Sequence, residues 1–149
     1  MGCITTRDII MQDTLTLSEA IALQPAWIGI WLNVLFFGAF ILPISLLIWK
    51  ATRLAAVITV VGSFASAFLT NLMYEQLGYV KLLGLPHMLF WFPIAFYLLR
   101  VRSRDTTPIW PRRIILVIVG VMAVSLAFDT VDVMRYVLGE RTPQVFENI

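Results

Sequence analysis

Residues 114–138 read IILVIVGVMAVSLAFDTVDVMRYVL, and residues 114–128 of this stretch carry no charged side chain. At 1.5 Å per helical residue, a run of this length crosses the roughly 30 Å of hydrocarbon in a bilayer. Working outward from it, three further runs of the same kind appear at 25–49, 54–74 and 79–99. All four are continuously apolar rather than alternating between apolar and polar, so they read as membrane-spanning helices and not as the strands of a barrel. The composition agrees. Of 149 residues, 60% are hydrophobic and 13% charged, with a mean hydropathy of +0.87. A soluble domain has about half apolar and about a quarter charged residues.

The connections at 50–53 and 75–78 are short, and that at 100–113 is longer, with Pro108 and Pro111. Short connections make successive helices antiparallel neighbours. The expected fold is therefore an all-α membrane protein, a four-transmembrane-helix up-down bundle over residues 25–138. It is preceded by an outer segment, 1–24, and followed by a short outer tail, 139–149. Thr16-Leu17-Ser18-Glu19 fits a capping box, in which hydroxyl and carboxylate satisfy first-turn amides. This predicts a short interfacial helix over 17–23. No apolar stretch follows a basic one in the first 24 residues, so no signal peptide is expected there.

Charge sets the expected orientation, because basic loops resist translocation. Lys50, Arg53, Arg100, Arg102, Arg104, Arg112 and Arg113 fall in the first and third connections, with Asp105 as the one acid beside them. The opposite side receives Arg7, Lys81, Arg135 and Arg141 together with Asp8, Asp13, Glu19, Glu75, Asp129, Asp132, Glu140 and Glu147. Seven bases against one acid give +6, and four against eight give −4, matching the net +2. Both termini are thus expected outside a plasma membrane, or a bacterial inner membrane. The basic face is expected to meet anionic lipid headgroups rather than nucleic acid, since no aromatic-interleaved groove accompanies it. Met1-Gly2-Cys3-Ile4-Thr5-Thr6 matches the myristoylation pattern, but acyl transfer is cytosolic and an outside N-terminus disfavours it.

One Cys and one His limit the chemistry. Cys3 excludes an internal disulfide, a CxxC pair and thiolate-held zinc or iron–sulfur groups within one chain. His87 alone excludes bis-histidine haem ligation within one chain.

Polar groups at membrane depth are costly, so their positions carry the functional signal. Counted from the outer helix ends, Asn33 and His87 fall roughly 12 Å deep, Asn71 and Asp129 a few ångströms in, and Glu75, Asp132 and Arg135 near the boundary. Each of the four spans contributes to this outer third. Asp129 and Asp132, at i and i+3, share a helix face, and Arg135 continues it and is a candidate ion-pair partner for Asp132. That pairing leaves Asp129 as the deeper acid, suited to carry a proton or a coupling ion. His87 stands between Pro86 and Pro93, which remove backbone amides and loosen the helix. A histidine there can accept a proton, donate a hydrogen bond or ligate a metal. With Glu75, Asp129 and Asp132 it forms a carboxylate-rich set suited to hard or borderline cations, although no HExxH-like spacing supports a metal.

The second span carries Thr59, Gly62, Ser63, Ser66 and Thr70 as a small-residue stripe. It serves either close helix packing or a hydroxyl-lined path inward. Trp27, Trp31, Tyr74 and Tyr79 fall near the outer boundary and Trp49 and Trp110 near the inner one, as belt residues that can also stack on a ligand. Pro43 is expected to kink the first span near its inner end.

Three functions compete. An oligomeric channel or carrier for a proton or small cation uses the acidic outer cavity formed by His87, Asp129, Asn33, Asn71, Glu75 and Asp132. A non-catalytic accessory or structural subunit of a larger membrane complex needs those groups only as interhelical contacts. A membrane enzyme acting on a lipid or quinone, with His87 and Asp129 as acid and base, lacks a nucleophile, a cofactor motif and a phosphate-binding loop.

Overall fold

The computed structural model describes residues 16–77 and 81–140. The Met1–Thr6 motif, the charges at Arg7, Asp8, Asp13, Arg141 and Glu147, and Tyr79 lie outside these residues. The described chain is helical throughout, and four of its helices are long and apolar enough to cross a membrane. A short helix, α1 (Leu17–Ala22), precedes the first span, α2 (Ala26–Ile48). Then come α3 (Arg53–Leu77), α4 (Leu85–Arg102), led in by a 3₁₀ turn at Lys81–Gly84, and α5 (Ile109–Val137).

The capping box predicted for α1 is formed. The Glu19 amide reaches Thr16 Oγ1 at 3.4 Å, and Glu19 Oε2 accepts from the Thr16 amide at 2.8 Å. Hydrogen bonds from the Thr16 amide and the Thr16 hydroxyl hold the Glu19 carboxyl below the ordinary carboxylate range. Pro25 then starts α2.

The first span is not one uniform helix. Residues Phe37–Ile41 form a π segment in which the Leu42 amide reaches the Phe37 carbonyl. Pro43 follows two residues after this segment, and a prolyl nitrogen donates nothing to the carbonyl four residues back. The ladder widens there. The irregularity lies one turn nearer the chain start than Pro43 alone implies, and a 3₁₀ turn at Leu46–Ile48 closes the span. At this bulge Gly38 presses against Val121, whose side chain lies 2.9–3.1 Å from where a Cβ would stand.

Side-chain contacts make neighbouring spans antiparallel. Trp27 and Trp31 pack on Phe128 while Gly38 meets Val121, so α2 and α5 run in opposite directions. Phe40 stacks edge-on against Phe64, linking α2 to α3. A Cβ on Gly62 would run into Ile94 Cδ1, so α3 and α4 approach closely there. The core fills the half of the bundle away from α1, with Ala39, Leu46, Ala55, Ala56, Ile94, Leu98, Ile115, Ile118 and Met122 all buried.

The connections at that end are capped by side chains. Thr52 Oγ1 donates to the Leu46 carbonyl at 2.8 Å and Arg53 Nε to Leu47 at 2.9 Å. In the longer connection Thr107 Oγ1 donates to Val101, and Arg112 donates to Thr107 and Arg104. Two of the seven basic residues of this face therefore close helix ends, satisfying carbonyls that the last helical turns leave open. The outward surfaces of all four spans are lined by large apolar residues such as Phe64, Phe68, Phe96 and Val117, as helices bathed in hydrocarbon are.

Candidate functional site

The first eleven residues of α2, Ala26–Phe36, bury none of their side chains. They touch the rest of the bundle through aromatic contacts rather than close backbone packing, because Trp27 and Trp31 prop the helix away from α5 on Phe128. The gap is a cavity of about 610 Å³ at the end of the bundle where the described chain starts at α1 and finishes at Glu140. Its walls come from α1, from Trp27, Trp31, Leu32 and Leu35 of α2, and from Ala67 and Thr70 of α3. The remaining walls are Lys81, Gly84 and His87 leading into α4, and Ser125, Phe128, Asp129, Asp132 and Arg135 of α5.

His87 and Asp129 face each other in this cavity, with Nδ1 and Oδ2 3.5 Å apart and side chains 21% and 17% exposed. That separation exceeds a formed N–H···O bond of about 2.7–3.2 Å, and Nδ1 has no hydrogen-bond partner among the described residues. The two groups are poised rather than locked. Pro86 sits in the first turn of α4, where its missing amide costs nothing, so it starts the helix instead of breaking it. His87 is thereby held in the opening turn, and its ring lies 4.7 Å from that of Trp91 one turn later. Pro93 alone stands inside α4. Ser125 Oγ donates to Asp129 Oδ2 at 3.4 Å. Gly84 makes room for the acid, since a Cβ there would stand 2.7 Å from Asp129 Cβ and Oδ1.

Asp132 also lines the cavity. Asn33, Asn71 and Glu75 are placed elsewhere. Asn33 is exposed and donates to the Gly29 carbonyl of its own helix at 2.8 Å. Asn71 donates to Glu75 at 2.9 Å, an i to i+4 pair on an exposed face of α3. Arg135, expected beside Asp132, lines the cavity with it and also reaches Glu140 through Nε at 2.8 Å.

Sequence reasoning missed Lys81. Its side chain is 1% exposed, and Nζ lies 2.8 Å from Glu140 Oε2, a carboxylate that is 51% exposed. Gly139, at φ +113°, turns the chain after α5 and brings the Glu140 amide onto the Arg135 carbonyl, which sets the carboxylate above Lys81 and Arg135. Hydrogen bonding from Lys81 holds the Glu140 carboxyl below its ordinary range, with Arg135 adding to the effect. A signal existed in the lone lysine opening the otherwise apolar Lys-Leu-Leu-Gly stretch six residues before His87.

The small-residue stripe of α3 is buried at Thr59, Ser63 and Ser66. Thr59 bonds its own helix at the Ala55 carbonyl, 2.7 Å away. Ser63, Ser66 and Thr70 do not take that local option: their hydroxyls have no hydrogen-bond partner among the described residues, and neither has the indole nitrogen of buried Trp91. Thr70 lines the cavity, and Ser66 and Ser63 follow it inward along α3, as Trp91 follows His87 along α4.

Comparison with known protein families, curated proteins and solved structures finds no match to this chain.

Proposed function

We propose that the protein is a membrane carrier for a proton or small cation, acting as a homo-oligomer or as a subunit of a larger membrane complex. His87 and Asp129 form its loading site. The observation that carries this reading is the facing of His87 Nδ1 and Asp129 Oδ2 at 3.5 Å across two helices, within a cavity reachable from one side. An imidazole and a carboxylate at that separation can share or exchange a proton with little movement. No group of three or more His, Cys, Asp or Glu side chains gathers among the described residues. A two-group site suits a proton better than a divalent metal, which takes more ligands.

The unpaired hydroxyls of Thr70, Ser66 and Ser63 and the Trp91 indole support a route inward from this site. A buried polar group left unsatisfied costs about 1–3 kcal/mol, and water bridging several of them removes that cost and conducts protons. Below the seam Ile94, Leu98, Ile115, Ile118 and Met122 form a buried apolar core. This favours alternating access over an open pore. The charge asymmetry supports an orientation with both termini and the cavity outside and the basic connections in the cytoplasm.

Reconstitution into liposomes tests the reading. A pH gradient, with potassium and valinomycin clamping the potential, should drive proton flux through the wild-type chain, and Asp129→Asn should abolish it while the protein remains folded. No wild-type flux under either sign of gradient would move the assignment to an accessory subunit.

A further inference from the structure

The cavity is far larger than a proton or a bare ion needs. About 610 Å³ is roughly twenty times a water molecule's share of liquid volume. It falls among pockets that hold small organic molecules, which run to about 300–1,000 Å³. Its polarity is divided. Trp27, Trp31, Leu35 and Phe128 give it a broad apolar, aromatic wall, while His87 and Asp129 supply a polar end. A ligand complementary to both has an apolar body and one compact polar head.

The sign of that head follows from the charges. In the lining, Asp129 and Asp132 stand against Lys81 and Arg135, an even balance with the imidazole neutral, and Glu140, outside the lining, adds a third carboxylate beside the two bases. Both basic side chains are drawn to Glu140, each at 2.8 Å. Asp129 instead faces a hydroxyl and an imidazole, so its carboxylate is the charge presented deepest in the cavity. The spans α2 and α3 contribute no charged side chain to the lining. An anionic head would be repelled by Asp129, and a neutral one would leave a desolvated carboxylate uncompensated. A cation gains both the carboxylate and the negative faces of the aromatic rings.

We infer that the cavity binds an amphipathic organic cation, its cationic head at Asp129 and its apolar body against Trp27, Trp31 and Phe128. The inference rests on the carrier reading only for transport, where cation and proton would compete for one carboxylate and so exchange across the membrane. Binding by itself does not depend on that reading.

Tetraphenylphosphonium and tetraphenylborate are nearly the same shape and opposite in charge, and they provide the test. Equilibrium dialysis of the full chain in detergent should show saturable binding of tetraphenylphosphonium at one site per chain, weakening as the pH is lowered. Asp129→Asn should weaken it at least tenfold, Trp31→Leu should weaken it severalfold, and tetraphenylborate should show no saturable site. Equal binding of the two ions, or tetraphenylphosphonium binding unchanged in both variants, would overturn the inference, as would no binding to wild type. Should Asp129→Asn not fold, Trp31→Leu and the comparison of the two ions on the wild-type chain decide. Phosphonium binding without proton flux in liposomes would sink the carrier reading and leave this site standing; flux without binding would do the reverse.

Discussion

Replacing Gly84 with alanine tests how the loading site is held open. Gly84 has φ −73°, an ordinary helical value, so an alanine there meets no backbone strain and the whole effect comes from space. The new methyl would stand 2.7 Å from Asp129 Cβ and Oδ1 and 2.9 Å from Cγ, against 3.4–4 Å for ordinary contact. Either Asp129 retreats by roughly 0.7 Å or α4 and α5 part by a similar amount in a closely packed interior. Asp129 Cβ is fixed to its helix, so rotation of a side-chain bond cannot relieve the contact. Overpacking of this kind costs about 1–3 kcal/mol. The Ser125 and His87 contacts of Asp129, at 3.4 and 3.5 Å, are already long, and such a shift would break them.

Gly62→Ala is the matched control. There the obstacle is Ile94 Cδ1, the far end of a flexible side chain that can turn aside. Alanine also recovers up to about 1 kcal/mol of helix propensity. Equilibrium unfolding in mixed micelles should therefore show Gly84→Ala destabilised and Gly62→Ala near neutral, with tetraphenylphosphonium binding lost only in the former. Gly84→Ala within about 0.5 kcal/mol of wild type and still binding the cation would refute the claim that this glycine makes room for the acid.

Three other perturbations follow from the same geometry. Glu140 is held below its ordinary pKa of 4.5 by Lys81 and Arg135, so its stabilising effect is full above that value and is lost as pH falls through the lowered one. Thermal unfolding in detergent should drop over this acid range, and Glu140→Gln should shrink the drop; an unchanged pH profile would contradict it. In a Cys3→Ser background, Ser66→Cys and Ser63→Cys should react with a small water-borne thiol reagent, because only a hydrated thiol ionises to its reactive form. Buried Ala55, replaced by Cys, should stay inert, and equal inertness at 63 and 66 would mean a dry seam. Ser103→Cys, in the connection rich in arginine, should be labelled only after cells are permeabilised, and labelling of intact cells would reverse the orientation.

The four spans were legible because hydropathy depends on composition alone, and the capping box at Thr16 because its spacing is its mechanism. The candidate site was legible in one dimension. Counting residues gives depth along a helix, and it put His87 and Asp129 in the same outer third at different depths, whereas the structure sets them 3.5 Å apart. Depth says nothing about which way a side chain points, since each residue turns about 100° from the last. Asn33 shares the depth of His87 and points outward, where its own helix offers the Gly29 carbonyl. Asn71 and Glu75 carried a readable signal, the i, i+4 spacing that lets them satisfy each other. Lys81 was hidden for the opposite reason: its partner Glu140 is 59 residues away, and no local pattern records such a pairing.

That distance has a consequence for how the molecule is made. A ribosome delivers Lys81 to the membrane long before it delivers residue 140. While the third span is emerging, the lysine lacks the carboxylate that meets it in the finished bundle. The cheapest resting place for the ammonium is then the aqueous boundary, with the Lys-Leu-Leu-Gly turn lying shallow. Glu140 meets the lysine only once α5 is in place and the chain has turned at Gly139. The cavity's rim is therefore a late product of biogenesis, completed from the last segment inward.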